Sequence, residues 1–216
     1  MFTGIVQAIG EVVSSQALGG DLRLCIKAGE LDLTAIRPGD SLCTNGVCLT
    51  VTESGGGNFH CDVSRETLAL STLGELVSGS PVNLEPPLTP LSALGGHLVS
   101  GHVDGVGTVV SYREDGRSSR WLMRAPEHLA RYLAQKGSVC VDGVSLTINA
   151  VNGSEFELNI IPQTMAETIF YSYRVGSRFN LEVDQVARYL ERLLLGGAAA
   201  NPDAPESCIE SPARGK

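Results

Sequence analysis

Short runs in which apolar and polar residues alternate recur along the chain, each ending in a turn rich in glycine, asparagine or aspartate. "LRLCIKA" (22–28), "VCLTVTES" (47–54), "FHCDVS" (59–64) and "PVNLEP" (81–86) have the period-two pattern of half-buried strands, and "GGGN" separates the second from the third. "WLMRAP", "VSLTINAV", "FELNIIP" and "RFNLEVD" repeat the series in the second half. Asn45-Gly46 and Asp142-Gly143 stand between such runs and predict tight turns, or loops leading into strands. Many short strands with turns every 8–12 residues predict small closed barrels. Helical periodicity is scarcer. Residues 125–137, with Pro126 near the start and Gly137 past the end, predict a helix, and 30–40 a shorter one. Residues 186–197 place Val186, Tyr189, Leu190, Leu193 and Leu194 on one face of a helix that packs on a barrel or on a neighbouring subunit.

The strand series occurs twice at a constant offset of 97. "DSLCTNGVCLTV" (40–51) and "GSVCVDGVSLTI" (137–148) are identical at six of twelve positions. "GIVQAIGEVVS" (4–14) falls on "GHVDGVGTVVS" (101–111), "VNLE" (82–85) on "FNLE" (179–182), and Thr67 on Thr164. A shared offset across separated blocks means two copies of one unit. The expected organisation is an N-terminal barrel with its linker over 1–96, a C-terminal barrel over 97–186, a helix over 187–197 and a disordered tail over 198–216. The linker "PPLTPLSALGG", with three prolines and a Gly-Gly, has the composition of a domain boundary.

A chain of 216 residues with 43% hydrophobic content can bury a substantial core. The net charge of −8 and an aromatic content of 5% argue against a nucleic-acid partner and an anionic membrane surface. No apolar run approaches a membrane span, and the N-terminus lacks the pattern of a signal peptide, so a cytoplasmic protein is expected. Six scattered cysteines without a C-x-x-C pair are expected to be free thiols.

Candidate chemistry concentrates where the copies differ. "GGHLVSGHVDG" (95–105) fits neither a zinc spacing nor a phosphate loop, and no metal is expected. His102 stands where the first copy has Ile5, and imidazole suits proton transfer near neutral pH. His97 is the weaker candidate and is expected to order the segment between the copies. Cys48 and Ser145 are equivalent positions with different chemistry, a thiol against a hydroxyl. Thr50 and Thr147 offer hydroxyls beside them. The backbone of Gly4, Ile5 and Val6, and of Gly101, His102 and Val103, lets a flat ring approach closely. Glu66 with Thr67, and Gln163 with Thr164, come after equivalent strands and supply polar groups.

"MFTGIV", "NGVCLTV" (45–51), "GGHLVSGHVDG", "DGVSLT" (142–147) and "NLEVD" (180–184) together resemble the riboflavin synthase alpha-chain family, in the family's order and spacing, from Met1 to about Arg192. The resemblance implies an all-β fold: two tandem six-stranded Greek-key barrels with a C-terminal α-helix. It implies that each barrel binds one 6,7-dimethyl-8-ribityllumazine. A four-carbon unit passes from one molecule to the other, giving riboflavin and 5-amino-6-(D-ribitylamino)uracil, with neither metal nor redox cofactor. A homotrimer is implied, with sites between the N-terminal barrel of one subunit and the C-terminal barrel of the next, trimer contacts through the last helix, and lumazine synthase as a further partner. Ser41 and Asp184 join His102, Ser145 and Cys48 as implied catalytic residues. Phe2 and Lys136 join the binding set, with Leu49, Asp62, Val63, Ser64 and Arg65 in the first copy and Leu146, Ile161 and Pro162 in the second. Phe2 is suited either to cover a bound ring or to anchor the chain end, and Asp184 also suits a helix cap. The sequence departs from the family at Pro86-Pro87 and at Met165, Ile169 and Phe170. The alternative of the same fold is a lumazine- or flavin-binding protein without catalysis.

Overall fold

The computed structural model describes the backbone of residues 1–200 and the side chains of residues 1–196. The expected tail over 198–216 and Cys208 lie outside these side-chain limits. Six strands close the first barrel: β1 (Ala8–Leu18), β2 (Asp21–Lys27), β3 (Ser41–Thr44), β4 (Val47–Gly55), β5 (Asn58–Val63) and β6 (Pro81–Glu85). The second barrel holds β7 (Gly105–Asp115), β8 (Ser118–Arg124), β9 (Ser138–Val141), β10 (Val144–Asn152), β11 (Glu155–Ile160) and β12 (Arg178–Val183). The spatial order β1-β2-β5-β4-β3-β6 recurs in the second copy. Three consecutive hairpin strands with β2 returning beside β5 form a Greek key. Register shifts fall at matching places, between Val12 and Ser14 and between Val109 and Ser111. Bulges of this kind bend strands and let a small barrel close.

The alternating pattern becomes the barrel interior. Phe59, Cys61 and Val63 of β5, and Phe156, Leu158 and Ile160 of β11, point inward and are buried. The Asn45-Gly46 and Asp142-Gly143 turns are two-residue hairpins with positive φ at all four positions (46°, 77°, 43° and 82°), as such turns require. β6 and β12 break the alternation because both their faces are covered. Val82 and Leu84 fill one barrel, Phe179 and Leu181 the other, and the intervening Asn83, Glu85, Asn180 and Glu182 are buried between copies.

Two expected helices do not form. Over 125–137 only a 3₁₀ turn, Glu127–Tyr132, is present. Leu129 and Leu133 are buried against the barrel core, and their N–H groups bond three residues back, to Pro126 and Ala130. The chain then turns sharply at Lys136 (φ 69°) to reach β9. Over 30–40 there are successive turns, with Leu31 and Ile36 bonded to Ala28 and Leu33. Two short helices lie instead after the fifth strand of each copy. α1 (Arg65–Leu70) starts at Ser64, whose hydroxyl accepts the Thr67 N–H, and α2 (Pro162–Glu167) starts with Pro162. α3 (Gln185–Ala200) leaves the second barrel and is interrupted at Gly196.

The copies are locked by bonds that repeat under the same offset. Asn83 Nδ2 donates to Asp142 O (2.8 Å), and its Oδ1 accepts from Ile169 N (2.8 Å). Asn180 Nδ2 donates to Asn45 O (2.7 Å), and its Oδ1 accepts from Thr72 N (2.7 Å). Gly46 and Gly143 meet at the centre, where a Cβ on Gly46 would stand 2.7 Å from the Gly143 nitrogen. Phe2 and Val99 pair there as a two-residue bridge and form a small core with Cys43 and Cys140.

Candidate functional site

The segment that leads into each barrel docks on the other one. Ser145 N donates to Gly4 O, and Cys48 N to Gly101 O, both at 2.8 Å. Val6 packs against the second barrel's core and Val103 against the first's. A Cβ on Gly4 would lie 2.5 Å from Ser145 Cβ, and one on Gly101 2.5 Å from Cys48 Cβ, so both approaches require glycine. Gly4, Ile5 and Val6 therefore serve the C-terminal barrel, and Gly101, His102 and Val103 the N-terminal one.

Buried carboxylates hold these segments. Glu85 accepts from Thr3 N (2.6 Å), Thr3 Oγ1 (2.7 Å) and Gly4 N (3.0 Å). Glu182 accepts from Ser100 N (2.7 Å), Gly101 N (2.9 Å) and His102 N (2.9 Å). Burial raises both pKa values above the usual carboxylate range, while these bonds pull them back. Sequence patterns single out neither glutamate, nor Asn83 and Asn180. The available signal is a polar Asn-x-Glu kept in both copies of a strand that otherwise reads as core. Arg188 of α3 adds a second clasp in the C-terminal copy, donating to His102 O (3.2 Å) and Asp104 Oδ2 (2.7 Å).

A pocket of about 440 Å³ lies along the linker, lined by Thr3, Ile5 and Pro87 among others, and contains none of the thiol, hydroxyl or imidazole candidates. The smaller pocket of about 210 Å³ on the N-terminal barrel contains one of each: the Cys48 thiol, the Thr67 hydroxyl and the His102 imidazole. It joins Val47, Cys48, Glu66, Thr67, Leu70 and Ser71 to Gly101, His102 and Val103 of the other copy. Thr50 shares the outward face of β4 with Cys48 and pairs across strands with Ser41. Leu49 and Val63 point into the barrel core. Asp62 is engaged with Arg23 (2.7 Å), which holds its carboxyl below the usual range, and Arg65 N bonds Asp21 Oδ1 (3.0 Å).

On the C-terminal barrel, Ser145 Oγ lies 2.7 Å from His97 Nδ1, a contact that nothing in the spacing of the two residues announces. Thr147 is exposed on the same strand and pairs with Ser138. Leu146 packs on the core, Ile161 is half-exposed at the head of α2, and Gln163 bonds Glu167 (3.2 Å). Pro162 opens α2, and the carbonyl of Thr164 accepts the Thr168 hydroxyl (2.6 Å). Lys136 is exposed, with its N–H bonded to Ile148 O (2.7 Å). Asp184 accepts from Val186 N (3.0 Å) and caps α3. Phe2 is wholly buried and anchors the leading segment between the copies, the second of the two roles open to it.

Twin barrels, each met by the leading segment of its sibling at an equivalent strand position, define a protein of two related halves, with a polar pocket at the junction on the N-terminal barrel. The lumazine binding domain model matches residues 3–86 and 100–184. The riboflavin synthase of Photobacterium phosphoreum is 45% identical over 195 residues, covering 90% of this chain and 89% of that protein. The riboflavin synthase of Mycobacterium bovis is 45% identical over 198 residues, covering 90% and 98%. Crystals of LumP complexed with riboflavin show a similar structure, with a TM-score of 0.79 at 26% identity over 85% of this chain and 100% of that one. The chain belongs to the riboflavin synthase family, built from two lumazine binding domains.

Proposed function

We propose that this protein makes riboflavin by transferring a four-carbon unit between two molecules of 6,7-dimethyl-8-ribityllumazine. The observation that carries the reading is 45% identity to a riboflavin synthase across about nine-tenths of both chains. Two identical substrates suit two related barrels. Docked ring to ring they no longer need to find each other, an advantage that reaches about 7–11 kcal/mol in favourable cases. The donor and acceptor are the same compound, so oxidation and reduction balance within the pair and no cofactor enters.

Cys48, Thr50, Ser41, Glu66, Thr67 and His102 surround the ligand of the N-terminal barrel. Ser145, Thr147, Lys136, Gln163 and Thr164 surround that of the C-terminal barrel. His102 moves a proton to or from the ring system. The substrate is uncharged at its ring, which suits pockets without a cluster of cations. Leu190, Leu193 and Leu194 of α3 are exposed (53%, 76% and 85%) and form the contact between three copies of a cytoplasmic trimer. The test is to incubate the purified protein with the lumazine and monitor riboflavin absorbance. Turnover supports the reading; tight binding without turnover makes the protein a carrier.

A further inference from the structure

His102 reaches the N-terminal barrel's pocket from a mount that belongs to the C-terminal barrel. Its N–H donates to Glu182 Oε2 on β12 (2.9 Å), and its carbonyl accepts from Arg188 Nη2 on α3 (3.2 Å). The same Nη2 donates to Asp104 Oδ2 (2.7 Å), which also accepts Val183 N (2.8 Å) at the end of β12. Three residues further along α3, Glu191 accepts from Arg131 (2.8 Å) and from the Tyr132 hydroxyl, which fastens the helix to the second barrel. The first copy is built differently at the matching atoms. The Ile5 N–H donates to Thr3 Oγ1 (3.1 Å), and the Ile5 carbonyl accepts from Gln7 Nε2 (3.1 Å), an exposed residue of the same segment. At the offset of 97 the counterpart of Arg188 is Leu91, a linker residue that is 97% exposed. The arginine clasp thus belongs to the copy whose crossing segment carries an imidazole. A purely architectural need for it would arise in both.

We propose that Arg188 is the positioning residue of His102: from the first turn of α3 it holds the crossing segment so that the imidazole meets the ligand of the other barrel. This rests on the riboflavin synthase reading, in which His102 moves a proton. Such a group works only within hydrogen-bond reach of the atom it serves, and a site group must be held to about 0.5 Å. The ring sits one carbon from its backbone and inherits any shift of it. With the guanidinium gone, the His102 carbonyl loses its donor and the Asp104 carboxylate, 15% exposed, loses its counter-charge. The segment is then held on its N–H side by Glu182 and is free to swing on the other. Cys48, Glu66 and Thr67, which line the pocket from the first barrel, stay where they are. Ligand binding therefore survives while proton transfer suffers, and the seating of α3 on one barrel sets the reactivity of the other.

The test compares Arg188→Met, His102→Ala and the double substitution in the full chain. Methionine keeps an apolar stem and removes both bonds. Arg188→Met is expected to lower kcat by about 10- to 100-fold with lumazine affinity unchanged in a fluorescence titration. In the His102→Ala background the same change is expected to cost nothing further, because the group it positions is absent. A loss that persists in that background, a wild-type kcat in Arg188→Met, or an equal fall in affinity would overturn the proposal. Asp104→Asn, which leaves the guanidinium and removes its anion, carries the same expectations should Arg188→Met fold poorly. If the wild-type protein makes no riboflavin, the functional reading fails by itself. The clasp is then read by NMR of the His102 ring: Arg188→Met must shift its resonances, and unmoved resonances overturn the positioning.

Discussion

The two barrels share a backbone plan and diverge where their chemistry is exposed. Cys48 and Ser145 occupy one structural position, each donating its N–H to a glycine carbonyl of the other copy. Their imidazoles come from different places: His102 from the segment that crosses over, His97 from the residue that follows the linker. The surroundings after the sixth strand differ too. The first copy runs into an exposed proline-rich linker, the second into α3, whose Arg188 grips Asp104. Duplication thus preserved what builds a site and released what decides its reactivity. Crossing the leading segments also makes each site depend on both barrels, so neither copy completes its site alone.

The largest effect is expected beyond the sixth strand, where one copy continues into the linker and the other into α3. Leu190→Asp with Leu193→Asp places two charges on the exposed apolar stripe of α3. If α3 holds the proposed trimer together, sedimentation should show the variant as a monomer, with riboflavin formation lost and the melting of the isolated chain little changed. An active oligomer would remove α3 from the interface. Next comes the imidazole. His102→Ala should cut kcat by about 100-fold or more while fluorescence titration shows lumazine still bound. Ile5→Ala, at the equivalent position, should leave kcat nearly unchanged. Equal losses in both would show that the crossing segments only shape the pockets.

The interface between copies should break symmetrically. Asn83→Ala strips partners from Asp142 O and Ile169 N, and Asn180→Ala strips them from Asn45 O and Thr72 N. Two buried polar groups left unpaired cost about 2–5 kcal/mol in each variant, read as a lower urea midpoint. A loss confined to one variant would mean that the locks are equivalent in geometry and unequal in energy.

The barrels and their repeat were legible because period-two alternation and the Asn-Gly and Asp-Gly turns are local signals. The candidate pairs Cys48/Ser145 and Ile5/His102 were legible for the same reason, as differences inside a repeat. The crossing was not. Nothing near Gly4 says that its carbonyl meets Ser145, more than a hundred residues away. Residues 125–137 carry the frame of a helix, yet the need to bury Leu129 and Leu133 against the barrel and to turn at Lys136 overrides it. The helix at 162–167 did leave a signal, Pro162 at its first position, which the strand-like run before it obscured.

The smallest predicted effect isolates one more difference between the copies. Asn45 and Asp142 occupy matching turns, and each accepts a backbone N–H from the sixth strand: Asn83 N at 2.7 Å and Asn180 N at 2.8 Å. Asp142 also accepts the Tyr173 hydroxyl. Burial pushes its pKa from the usual 3.8 to about 7, while those two bonds pull it down. The folded protein therefore holds a proton there that the unfolded chain releases. Stability from this group is full below about pH 4, falls as pH rises towards 7, and is flat beyond. Asp142→Asn makes the second turn chemically equal to the first and removes this dependence. It should raise stability at pH 8 by about 1–3 kcal/mol, leave it nearly unchanged at pH 4, and flatten the difference between the two. Thermal melts at both pH values check this. A variant less stable at pH 8 would show that the ionised Asp142–Tyr173 contact outweighs the burial of its charge.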